Sequence, residues 1–309
     1  MSFTYTTGAN NTSYSITFNE NTECDILVVG GGGGGGRRHG AGGGAGTLLY
    51  HKNQILNGSY NIQVGKGGNG NTSANNSFNA TSGNFSEFKK SNGSQRYYAN
   101  GGGVGTSGGV QSAITNGGQG YLNNSSLTLP TNNIFNDVTV TVVSKQYQNS
   151  LTLPEGCRGF VGGGQVENFK GGGGGGAGSV GQSHGLESTI NDGYGGDGLG
   201  VDITGDDVLY AGGGNGSDFN GSVSQVRDPN KSTIESRGGG GFGSDNGLAQ
   251  AGKNGTGGGG GGQGNDLGSN NNGGVGGSGI VIIRLNTQRR GHQQYKQLDF
   301  WIILMRMGG

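Results

Sequence analysis

Residues 24–36 read CDILVVGGGGGGG, an apolar run from Cys24 to Val29 that passes directly into seven glycines, Gly30–Gly36. A short continuous apolar run with turn residues before it (Asn19–Thr22) is the pattern of a buried strand. The glycines exclude a helix, because each helix-interior Gly costs up to about 1 kcal/mol relative to Ala. They also bring no side chain to bury, so such a run gains only by packing main chain on main chain. The extended left-handed threefold helix, at about 3.1 Å per residue, makes no internal hydrogen bonds and turns its N–H and C=O groups outward. Buried main-chain groups need partners. Each run must therefore bond to neighbouring runs, and only Gly allows that approach, with Cα–H···O contacts as a second-order gain. The fold expected is mainly β and irregular with essentially no α-helix: a layered bundle of polyglycine II helices capped by short β-strands.

Working outward, further glycine-dominated segments occur at 40–46, 101–105, 117–120, 162–164, 171–178, 193–200, 212–216, 238–243, 255–264 and 273–279. Several follow an aromatic residue: YANGGG (98–103), FVGGG (160–164), FKGGGGGG (169–176) and YAGGG (210–214). An aromatic at the head of a run fixes its register, which glycine alone cannot. Alternation marks a strand over Tyr14–Phe18, and two short strands follow at Thr47–Tyr50 and Ser59–Val64, with Asn57-Gly58 as the turn between them. Residues 121–160 are Gly-poor and read as a β-hairpin-like insertion, with VTVTVV (138–143) framed by SLTLP at 126–130 and again at 150–154. A last strand, Gly279–Leu285, is expected to pair with Cys24–Val29 or Tyr14–Phe18 and close a domain of residues 1–285. Residues 286–309 form a tail.

Composition narrows the classes. Of 309 residues 78 are Gly and 3 Pro, without the strict period of collagen. Leu, Ile, Val and Phe together fall just under the ~20% share expected of a globular core, which excludes an ordinary α/β enzyme of this length. A flexible linker is the alternative, but 11 Phe and 11 Tyr placed at intervals argue for order. Lys plus Arg equals Asp plus Glu at 19 each, with 12% of residues charged. That leaves no basic stripe for nucleic acid. The apolar runs 26–29, 280–283 and 300–305 are too short to span a membrane. The N-terminal MSFTYTTGANNTSYS lacks a secretory pattern, so synthesis in a cytoplasm is expected. Two cysteines, Cys24 and Cys157, make no disulfide framework; they form one bridge or remain two thiols.

Catalytic patterns are explained by composition. GxSxG occurs at 105–109 and 181–185, the second placing His184 beside Ser183, but neither joins a strand to a helix. The strand running into glycines lacks the following helix and acid of a dinucleotide site, and no Gly-Lys-Ser/Thr is present for a phosphate loop. GGQGNDLGS (261–269) and GGDGLGVDI (195–203) approach a calcium β-roll without its tandem array. Asp192, Asp197, Asp202, Asp206 and Asp207 read as solvated loop acids, and His39, His51, His184 and His292 lack metal-ligand spacing. No catalytic residue, metal or cofactor is expected.

CDILVVGGGGGGG, GAGGGAG (40–46), YHKNQILNGSYNIQVGKGG (50–68) and GGVGGSGIVIIRL (273–285) together resemble the glycine-rich domain of proteins of large DNA viruses and phages. The resemblance covers about residues 14–285; the SLTLP-framed insertion and the tail stand outside its pattern. It implies polyglycine II bundles like those of phage tail-fibre tip adhesins, with the loops between runs contacting a host receptor. The localisation implied is the virion, as a minor capsid, fibre or spike component. The implied partners are other capsid or fibre proteins and a host surface glycan or protein. The aromatics between runs are then the receptor-loop candidates: Phe78, Phe85, Phe88, Tyr97, Tyr121, Phe135, Tyr147 and Phe219. The tail residues Phe300, Trp301, Ile302, Ile303 and Leu304 are either a terminal strand on this protein's own sheet or an anchor docking in a neighbouring subunit. An ice-binding scaffold is a further class, but the repetitive Thr or Ala face it needs is not in the sequence.

Overall fold

The turn signals at Asn19–Thr22 and Asn57-Gly58 do not end strands. β1 (Ser2–Thr7) pairs with β2 (Asn11–Val29), and β2 runs antiparallel along β3 (Leu48–Gly65), so each expected pair of short strands is one long strand. The register shifts between Phe18 and Thr22, opposite Gly58, whose φ is +81°. Both turn signals thus fall at one level of a two-stranded ribbon and make a bulge there, where extra residues in one strand bend the pair. The strands are correspondingly longer than the short caps expected. The computed structural model describes residues 2–7, 11–73, 79–107, 151–152, 157–159, 171–182, 193–217, 233–245, 247–264, 271–286 and 301–306.

The sheet continues through β4 (Ser86–Lys90) and β5 (Arg96–Ala99) on one side of β3. β6 (Leu151–Thr152) pairs with β7 (Cys157–Gly159), which joins the start of β3; the rest of the 121–160 insertion, VTVTVV included, lies outside the described residues. β8 (Leu199–Val201) and β9 (Val208–Tyr210) form a separate hairpin. β10 (Ile280–Leu285) pairs antiparallel with β2, Ile280 facing Val29 and Leu285 facing Cys24, as the first of the two expected pairings has it. β11 (Trp301–Arg306) then lies on β10. The described residues contain one short 3-10 turn, Glu235–Arg237, and no α-helix.

The CDILVV run has no polar alternation after Asp25 because both faces of β2 are covered there. Cys24, Ile26 and Val28 point into a core with Ile16, Phe18, Leu56, Tyr60, Phe88 and Val281. Leu27 and Val29 point the other way, into a second core with Leu48, Ile282, Val201, Ile203 and Tyr210. That second core also holds Ala45, Ala177 and Ala211, which lie in or beside glycine runs, so it joins sheet to glycines.

Past Val29 the hydrogen bonds change period from two to three. The N–H groups of Gly30, Gly33 and Gly36 donate to Thr47, Gly44 and Ala41. Those of Gly31 and Gly34 donate to Asn84 and Thr81, and those of Gly32 and Gly35 to Gly277 and Gly274. The carbonyls repeat the pattern toward three other segments. Gly31 and Gly34 accept from Gly102 and Gly105, Gly32 and Gly35 from Gly68 and Asn71, Gly33 and Gly36 from Gly260 and Gln263. Donation runs to antiparallel neighbours and acceptance to parallel ones. No side chain fits between them: a Cβ on Gly32, Gly33, Gly34 or Gly35 would overlap the carbonyl oxygen of Gly258, Gly103, Asn69 or Gly261 respectively.

Candidate functional site

Around Gly32–Gly35 no Cβ fits, and the polar side chains buried among the other runs are engaged in holding main chain: Arg237, 1% exposed, donates through Nη1 to Asn215 Oδ1 and through Nη2 to the Gly195 carbonyl, and Asn215 Oδ1 also accepts the Gly195 N–H at 2.8 Å. On the run 66–72, Lys66, Asn69 and Thr72 are exposed while Gly67, Gly68 and Gly70 between them are buried. The same spacing exposes Leu248, Ala251 and Asn254 on the run beyond, and Val275 on the run between. At one end, Arg38 and His39 take positive φ (57° and 58°) and turn the chain from Gly36 back into Gly40. Ser107 of the first GxSxG stretch serves this turn: its hydroxyl oxygen accepts the Arg37 N–H at 2.9 Å and the Asn71 amide. Its oxygen is a structural acceptor at a run end. Ser183 and His184 of the second stretch lie outside the described residues.

A second polar cluster stands where β2, β3 and β10 meet. Asp25, 2% exposed, takes Arg284 on Oδ2 and the Asn53 N–H (2.9 Å) and Asn286 amide (3.0 Å) on Oδ1. Burial alone would raise this carboxyl; the Asn53, Asn286 and Arg284 donors outweigh it and hold it below its ordinary range. Arg284 also donates to the Asp202 carbonyl at 3.2 Å, and Tyr50 donates to the Asp202 carboxylate at 3.0 Å, fastening the β8–β9 hairpin to the sheet. The cluster is internally satisfied and makes a fastening. Among the described residues, no group of three or more His, Cys, Asp or Glu is placed to hold a metal ion.

The aromatic receptor-loop candidates separate. Phe88 and Tyr97 are corrected: they lie in β4 and β5, are 0% exposed, and stack with each other at 5.7 Å in the first core. Sheet pairing turns them inward, and strands this short carry no alternation long enough to show it. Phe85 is half-buried and stacks on Tyr98 at 5.0 Å, with the Arg96 guanidinium 4.4 Å over the Tyr98 ring. Tyr98, the aromatic heading the 98–103 run, and Arg96 are not among the receptor-loop candidates, although the RYYA pattern places Arg96 and Tyr98 on one face of a strand and Tyr97 on the other. Phe78, Tyr121, Phe135, Tyr147, Phe219 and Phe300 lie outside the described residues. Trp301, Ile302, Ile303 and Leu304 lie in β11, opposite Leu285, Arg284, Ile283 and Ile282 on this protein's own sheet. Cys24 is a free, buried thiol.

A family model described as a glycine-rich domain matches residues 6–286. A search of curated proteins finds no match. No helix among the described residues is long and apolar enough to cross a membrane.

Proposed function

The chain belongs to the glycine-rich domain family, and from that premise we propose that its glycine runs are polyglycine II helices forming a non-enzymatic display scaffold. In this reading the scaffold is a structural component of a virus particle, as a minor capsid, fibre or spike protein, and its rim loops contact a host receptor. The observation that carries it is Gly30–Gly36, whose N–H groups bond to three segments and whose carbonyls bond to three others at a period of three residues. A threefold main chain at about 3.1 Å per residue has that periodicity. Such a body is stiff, closed to substrates, and offers side chains only at its outer runs and ends. The particle assignment draws on the sequence resemblance to viral and phage glycine-rich proteins. A second reading, a dedicated adhesin at a fibre tip, is favoured by the half-buried Phe85–Tyr98–Arg96 stack, an amphipathic surface of the kind paratopes use.

Quantitative mass spectrometry of purified particles tests the role. The expected result is this chain in stoichiometric copies; its absence overturns the particle reading. Hydrogen exchange tests the scaffold. The amides of Gly32–Gly35 should exchange only through global unfolding, and exchange at coil rates would sink the polyglycine II reading.

A further inference from the structure

Lattice growth in a glycine bundle has no natural end, since each outer run presents the same main-chain groups as an inner one. The groove between the runs 66–72 and 271–278 shows this. Gly276 donates to Gly68 and Gly273 to Asn71, which holds the two runs side by side. Gly68 and Asn71 in turn donate inward to Gly32 and Gly35. The next residues in each period, Gly67 and Gly70, have N–H groups with no hydrogen-bond partner among the described residues, and the carbonyls of Gly273 and Gly276 likewise take none. Two donors and two acceptors, each pair three residues apart, are what the inner runs present to one another. One side chain is borne between Gly273 and Gly277: Val275, 45% exposed.

We infer that this groove is a latent lateral interface for a glycine run of a second copy of this chain, and that Val275 is the stop that keeps it shut. The occupant follows from the complement. A side-chain-bearing strand has period two and meets only part of a period-three row, whereas another threefold glycine main chain meets every group. The chain itself supplies such runs. The stop follows from the overlaps found inside the bundle, where a single Cβ on Gly260 or Gly274 would strike a neighbouring carbonyl. A branched side chain at 275 holds an incoming run out of hydrogen-bonding distance, as charged or bulky residues blunt the edges of β-sheets. The inference rests on the polyglycine II reading.

The test compares full-length wild type, Val275→Gly and Val275→Thr by light scattering across a concentration series, with hydrogen exchange at Gly32–Gly35 read in parallel. The expected result is a concentration-dependent doubling of mass for V275G alone, with new protection at Gly67 and Gly70 and unchanged protection at Gly32–Gly35. V275T keeps a branched side chain and should retain the wild-type mass. Identical masses for all three, with Gly32–Gly35 still protected, overturn the stop while leaving the scaffold intact. Loss of protection at Gly32–Gly35 in the wild type overturns the reading beneath it. Association of V275T equal to that of V275G also overturns the proposal, because a side chain is then no barrier.

Discussion

Arg284 on β10 and Asp25 on β2 meet across 259 positions of chain, the guanidinium donating through Nε (3.1 Å) and Nη2 to the single carboxylate oxygen Oδ2. Both side chains are largely buried, at 16% and 3% exposed. This pair fixes the register in which the end of the domain returns to its beginning.

Removing one partner should therefore cost more than the pair contributes. Asp25→Asn or Arg284→Met leaves a buried charge or donor without its complement, and a loss of about 3–5 kcal/mol is expected at neutral pH. The folded carboxyl sits below its unfolded value, so its contribution is complete above the unfolded pKa of about 3.9 and fades as pH falls through the folded one. Urea midpoints of wild type and D25N should differ widely at neutral pH and converge in acid. A gap independent of pH would mean that the pair contributes through packing alone.

The glycine interior predicts a sharp contrast between substitutions of one kind. In Gly33→Ala the new Cβ overlaps the Gly103 carbonyl oxygen, and both are main chain held by neighbours on every side. The expected loss exceeds about 4 kcal/mol, enough to prevent folding. Gly205 has open space around it and φ of +98°, so Gly205→Ala meets only backbone strain, about 1–2 kcal/mol. Thermal midpoints decide the matter. Similar, small losses at both positions would show that Gly33 tolerates a side chain and that its neighbours yield.

The sequence made the glycine runs and the closing strand legible, because a run of seven glycines has few physical solutions and IVIIRL few places to pair. It did not reveal how strands cross a turn signal. Asn57-Gly58 supplies positive φ equally well to a hairpin and to a bulge, and only the partner strand, with its own extra residues after Phe18, decides between them. The inward aromatics were missed for a related reason. Phe88 and Tyr97 sit in strands of 5 and 4 residues, too short for alternation to separate core from loop.

That misplacement gives a prediction separating core from surface. Phe88 lies between Tyr60, at 4.6 Å, and Tyr97, at 5.7 Å, with no exposed area. Phe88→Ala should cost about 3–5 kcal/mol, as other buried aromatic truncations do. Phe85→Ala, at a half-buried position, should cost a fraction of that and act on any receptor binding by the Phe85–Tyr98–Arg96 surface. Chemical denaturation of the two variants measures the difference; equal losses would place Phe85 in the core as well.

Cys24 offers a probe of the same core. Burial, with added repulsion from the Asp25 and Glu23 carboxylates, pushes its thiol up to about 12. An ordinary thiol is half ionised near pH 8.5, whereas this one yields thiolate in on the order of one molecule in several thousand, and thiolate is the reactive form. Iodoacetamide at that pH should leave residue 24 unmodified in the native protein and label it fully in guanidinium, with peptide mapping as the readout. Rapid labelling without denaturant would show that the sheet opens locally at this level, where Cys24 is buried between Leu285 of β10 and Gln54 of β3 in the ladder.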